Sequence, residues 1–126
     1  MLVIIGILAT LGLPQFSRTK ERAIGKEAIA NLKLIAAAEK IYRMEANAYY
    51  PIPAGTRSNI AGDCSTDGAI NGCLRLSLPS GATRNWDYAV SSLTNVSTAT
   101  RFSGSYSGCT WTIGFTADEP TNVSCP

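Results

Sequence analysis

Residues 1–17 read MLVIIGILATLGLPQFS, an uncharged run dominated by Leu, Ile and Val; the first charge is Arg18. Such a run needs lipid or protein around it. At about 1.5 Å rise per residue it forms a helix of roughly 26 Å, a little short of the roughly 30 Å hydrocarbon core that about 20 residues cross. The expectation is therefore that the apolar run continues upstream of Met1. A cleaved secretory signal carries its basic segment before the apolar one and a small-residue cleavage site after it. Here the basic residues follow, and the pattern runs on into a helix.

The next stretch, RTKERAIGKEAIANLKLIAAAEKIYRMEANAYY (18–50), is rich in Ala, Leu, Ile, Lys and Glu and meets no proline until Pro51. It predicts helix throughout. On a wheel at about 100° per residue, Ile24, Ala28, Leu34, Ile35, Ala37, Ala38, Ile41 and Tyr42 share a broad apolar arc, and Lys26, Lys33 and Lys40 stack on the other side. Glu39 and Arg43 have the favourable i, i+4 order of a surface pair, whereas Glu21 is read as too exposed to matter.

Joined, the two stretches form a rod of roughly 70 Å from Met1 to Tyr49, against a radius of gyration near 14 Å for a globule of this length. The rod must protrude, and its protruding end is its most apolar part. Lipid or further copies of the chain must cover it. Gly6, Gly12 and Pro14 interrupt the apolar run; an interior proline costs about 3 kcal/mol and each glycine about 1. One reading is a kinked membrane helix with small residues for close packing. The sharper one is that Gly6 to Pro14 loses helical hydrogen bonds in an assembled state and lets the rod lengthen.

Beyond Tyr50 the composition changes: PIPAG (51–55) ends the helix. Thr56 to Gly72 is turn-rich and reads as a surface loop. Period-two runs follow, with Leu74, Leu76 and Leu78, then Trp86, Tyr88 and Val90, then Trp111, Ile113 and Phe115, each set sharing one face of a strand. Thr98 to Ser103, with Phe102, is a further strand, and SGSYSG (103–108) is a turn. The expected fold is α+β, with a long protruding N-terminal helix (1–50) packed on a small head (51–126). The head is a three- or four-stranded antiparallel meander whose apolar face packs on about Ile24 to Ala48.

Composition narrows function. The 126 residues carry 11 Lys+Arg against 9 Asp+Glu, a balance too slight for the footprint of a nucleic-acid binder. There is no histidine, which removes imidazole-based triads and zinc sites. Asp63 with Asp67 and Asp118 with Glu119 are the nearest thing to a polar site, and both pairs sit in turn sequences of solvated type. No nucleophile motif accompanies them, so no enzyme, cofactor or metal is expected; a calcium role fits no loop pattern.

All four cysteines, Cys64, Cys73, Cys109 and Cys125, lie in the head at spacings without a C-x-x-C pair. That points to disulfides in an oxidising compartment. Three pairings are possible. The sequential one, Cys64 with Cys73 and Cys109 with Cys125, closes two short loops of roughly 2 to 3 kcal/mol each and pins the carboxy terminus.

Gly6-Ile7-Leu8-Ala9, Leu13-Pro14-Gln15-Phe16, Asn31-Leu32, Ala36-Ala37-Ala38 and the closing AYYP together resemble the type IV pilin family. Aligning the proline implies about eight mature residues before Met1, among them the family's amino-terminal phenylalanine and its glutamate. The resemblance covers the helical part of the chain. In the head, only the helix-plus-sheet plan and a terminal disulfide loop look similar.

The resemblance implies an inner-membrane precursor, processed by a prepilin peptidase and handled by pilus assembly machinery. The mature subunit would then pack helix-to-helix as a homopolymer in an extracellular, cell-surface filament. Leu2, Val3, Ile4, Ile5, Ile7, Leu8, Leu11, Leu13 and Phe16 would form the subunit interface, each buried Leu or Ile contributing about 1.5 to 3 kcal/mol. The alternative within the resemblance is a pseudopilin of a type II secretion system; the cysteine pairs and the Ser/Thr-rich head lean towards a pilus.

A third reading is a membrane-anchored monomer whose head holds a ligand in a pocket. Asn95-Val96-Ser97 and Asn122-Val123-Ser124 match the glycosylation sequon, a pattern frequent by chance. Ser and Thr from Ser91 to Thr112 are read as strand faces rather than carriers of O-linked sugars. Phe16, Tyr42, Tyr49 and Tyr50 are read as packing residues rather than a conductive stack.

Overall fold

The computed structural model describes residues 2–51, 55–59 and 70–126, with side chains from residue 17 onward. Helix α1 runs unbroken over Leu2–Ala46. It stops where Asn47 turns left-handed, at φ 60°, while its N–H still reaches the Arg43 carbonyl at 2.8 Å. Asparagine tolerates that conformation, and Arg43 in the last turn suits the negative end of the helix dipole. The helix therefore ends before Tyr49 and Tyr50. The Tyr50–Pro51 bond is cis.

The described strands form one antiparallel sheet in the order of the chain: β1 (Thr56–Ser58), β2 (Trp86–Ser91), β3 (Val96–Arg101), β4 (Thr110–Gly114) and β5 (Thr121–Val123). Register is set by the alternation of β2 and β3. Tyr88 stands opposite Ala99 and Trp86 opposite Arg101, so Trp86, Tyr88, Val90, Ser97, Ala99 and Arg101 share the buried face. Ile113 of β4 and Phe115 just beyond it complete that face, and Trp111 is half-buried. The core lies between this face and α1, where Ala28, Leu32, Ile35 and Ala36 are buried. Helix α2 (Ile70–Leu74) adds Ile70 and Leu74.

Besides the earlier end of the helix, at Ala46 rather than Tyr50, three further expectations change. The Leu74, Leu76, Leu78 run is not a strand: α2 ends at Leu74, and Arg75 has a left-handed φ of 56° that no strand accepts. The Asn71 amide then donates to the Leu78 carbonyl at 2.9 Å and accepts from the Leu78 N–H at 2.7 Å, engaging groups that a ladder would need. Leu74 and Leu78 are buried all the same. In exchange the sheet gains two three-residue edges, β1 and β5, too short to show a period. Strand β3 ends at Arg101, and Phe102 lies beyond it, 3.8 Å beneath the Arg84 guanidinium.

The third change is the helix face. Gly25, Ala28, Leu32, Ile35, Ala36 and Glu39 are buried, whereas Leu34 and Ile41 are 47% and 56% exposed and Ala37 is exposed with them. The apolar arc is wider than one sheet can cover, and its centre is displaced from the buried line.

Candidate interaction site

The residues read as the assembly face, Leu2, Val3, Ile4, Ile5, Ile7, Leu8, Leu11, Leu13 and Phe16, stand on α1; their side chains lie outside the described residues. Gly6, Gly12 and Pro14 stand within the unbroken helical backbone. Among the described residues no helix is long and apolar enough to cross a membrane.

From Glu21 onward the helix is fastened to the sheet by a ladder of polar contacts at helical spacing. The Arg101 guanidinium donates to both Glu21 oxygens at 3.1 Å and to the Asn85 carbonyl at 2.9 Å, and lies 5.8 Å from the Trp86 ring centroid. The Trp86 indole donates to the Ile24 carbonyl, and the Asn85 amide to Glu27, each at 2.9 Å. The Asn31 amide donates to the Tyr88 hydroxyl at 2.8 Å. Burial pushes the Tyr88 phenol up to about 12, with the Asn31 contact opposing the shift. Glu21 is thus a half-buried anchor and not an idle surface charge. No local pattern announces it, because Arg101 is 80 residues away.

The far end of the helix carries a second departure. Glu39 is fully buried and accepts from the Tyr50 N–H at 2.9 Å through Oε2, while Oε1 has no partner among the described residues. Loss of solvent pushes the Glu39 carboxyl up to about 7, against the lowering effect of the Tyr50 N–H. The expected surface pair with Arg43 is absent: Arg43 donates to the Tyr49 hydroxyl at 3.1 Å and lies 4.9 Å from its ring centroid. A signal was present in the chain, since Glu39 falls four residues after Ile35 and seven after Leu32, on the buried line.

The tyrosines near the helix end pack as read, Tyr42 edge-on to Tyr50 at 5.6 Å and Tyr49 tilted on Phe115 at 4.8 Å. An open depression of about 570 Å³ lies beside them between Arg43, Asn47, Tyr49, Ser92 and Asn95. Its one charged side chain, Arg43, is already held by Tyr49.

Cys109 and Cys125 form a disulfide across a sequence separation of 16, which ties the chain after β5 to the start of β4. Cys73 is disulfide-bonded; Cys64, and with it the Cys64–Cys73 pairing, lies outside the described residues. Asp63 and Asp67 also lie outside them. Asp118 is exposed, and Glu119 accepts from Lys33 at 2.8 Å. Among the described residues no three His, Cys, Asp or Glu side chains gather as a metal site.

The polar ladder leaves the Arg18–Lys26 stretch of α1 with one kind of outward charge. Glu21 and Glu27 turn onto the sheet, while Arg18, Lys20, Arg22 and Lys26 are exposed and enter no ion pair among the described residues. This part of α1 therefore presents positive charge outward. No family model matches the chain, and no curated protein and no solved structure matches it.

Proposed function

We propose that the chain is the structural subunit of an extracellular filament of the type IV pilus kind, held in the inner membrane before assembly and polymerising through its apolar helix. The observation that carries this reading is a mismatch of lengths. Helix α1 has 45 residues, about 67 Å at 1.5 Å each, whereas the longest strands packed on it have six, about 20 Å. The sheet cannot shelter such a helix from end to end. The part left over is read as Leu2 to Phe16, an uncharged segment that needs either lipid or copies of itself. A disulfide-closed antiparallel head suits a subunit displayed outside the cell.

The test is electron microscopy of filaments sheared from cells. The expected result is a polymer of this chain whose core is built from residues 2–16, with the heads outside. Density with unbroken α-helix from Ile5 to Phe16 would remove the part assigned to Gly6, Gly12 and Pro14 while leaving the polymer intact. Recovery only from envelopes would favour the secretion pseudopilus. An intact chain that is monomeric in detergent-free buffer, its apolar helix folded back on the head, defeats the reading.

A further inference from the structure

The charges between Arg18 and Glu27 on α1 are sorted by direction, and the sorting is tertiary. Between Arg18 and Glu27 stand four cations and two acids, a mixed stretch that is basic by two charges along the chain. Folding removes both acids from the outward surface, Glu21 to Arg101 at 3.1 Å and Glu27 to Asn85 at 2.9 Å. What faces outward is Arg18, Lys20, Arg22 and Lys26.

We infer that Arg18, Lys20 and Arg22 form a collar that binds the phosphate groups of an anionic lipid surface while the subunit waits in the membrane. The inference rests on the reading that residues 1–16 lie in lipid. Three observations make lipid the occupant. First, the collar follows the apolar segment on the same unbroken helix, with Arg18, Lys20 and Arg22 about 3, 6 and 9 Å beyond Phe16 along the axis. The headgroup layer on each side of a bilayer is about 5 to 8 Å deep. Second, helical side chains lean towards the helix N-terminus, so the long stems of Lys20 and Arg22 reach back into that layer. Third, half-buried Tyr106, in the turn between β3 and β4, lines a cleft with Lys20 and Glu21 and another with Arg18 and Arg22. A tyrosine at this level is the amphipathic ring that favours a membrane interface.

Flotation of the full chain tests the collar. The detergent-purified protein is diluted into vesicles of phosphatidylcholine alone, or of phosphatidylcholine with about one-third phosphatidylglycerol, at low and at about 1 M salt. At about five-fold per cation near the surface, the anionic vesicles are expected to be favoured by roughly 10²-fold at low salt, an advantage that high salt erases. Arg18→Gln/Lys20→Gln/Arg22→Gln should remove the preference and still enter neutral vesicles. Lys26→Gln, about 15 Å past Phe16, should keep it.

Equal partition of the unaltered chain between the two vesicles would overturn the collar and leave the membrane reading standing. Displacement by inorganic phosphate at about 10 mM, under conditions where matched chloride does nothing, would mark a simple anion site and overturn it also. A triple variant that keeps the lipid preference but no longer polymerises would assign the cations to a second copy of the chain, with the same effect. Failure to enter either vesicle would defeat both the collar and the membrane reading beneath it.

Discussion

Arg101 on β3 and Glu21 on α1 meet in a two-pronged ion pair, Nε to Oε2 and Nη2 to Oε1, both at 3.1 Å, with the arginine side chain 6% exposed and the glutamate 14%. Such a pair is the least dispensable when only one half is removed, because the remaining charge is left unpaired in a largely desolvated position. Arg101→Met should therefore destabilise the head by about 3 to 5 kcal/mol in denaturant titrations. Glu21→Leu combined with Arg101→Met should recover most of that loss. Equal effects of the single and double variants would show that packing, not charge, governs the junction.

Glu39 makes stability depend on pH in the less common direction. Its folded carboxyl is pushed up to about 7 from an ordinary value of 4.5 by burial. The folded state holds the proton more tightly, so the contribution is fully present below the unfolded value and is lost as pH rises through the folded one. Between about pH 5 and 8 the wild type should lose roughly 2 to 3 kcal/mol relative to Glu39→Gln, which keeps the shape and cannot ionise. Urea midpoints of both proteins across that range check it; parallel curves would mean that the carboxyl is not desolvated.

Gly25 sits in the buried face of α1 yet does not need to be glycine. A Cβ there would lie 3.6 Å from Trp111 Nε1, an ordinary van der Waals contact. Gly25→Ala is expected to stabilise the protein by about 0.5 to 1 kcal/mol, the helix-propensity difference, with Trp111 fluorescence little altered. A loss of stability would show that the helix and β4 pack more closely than this contact indicates.

The Cys109–Cys125 bond closes a loop that contains β5, whose three residues pair with β4 alone. Cys109→Ser/Cys125→Ser should cost about 2 to 3 kcal/mol through the freed loop, with amide exchange in Thr121–Val123 rising before that in β2 or β3. Uniform exchange across the sheet would instead mark a single cooperative unit.

What the chain determined by itself is what a local period can carry. The helix from Arg18 onward, strand β2 through Trp86, Tyr88 and Val90, and strand β4 around Trp111 and Ile113 are legible because each element writes its own repeat, and the turn at 103–108 because glycine and serine punctuate it. Tertiary structure alone decided which side of the helical arc is covered, so that Leu32 is buried while Leu34 and Ile41 are exposed. It alone turned Glu21 and Glu27 away from the neighbouring cations, and let Asn71 claim the Leu78 backbone that a strand would have used. The physical reason is common to all three. A repeat fixes which residues share a side, but the energy of burying a carboxylate or pairing an arginine depends on a partner brought from elsewhere in the chain.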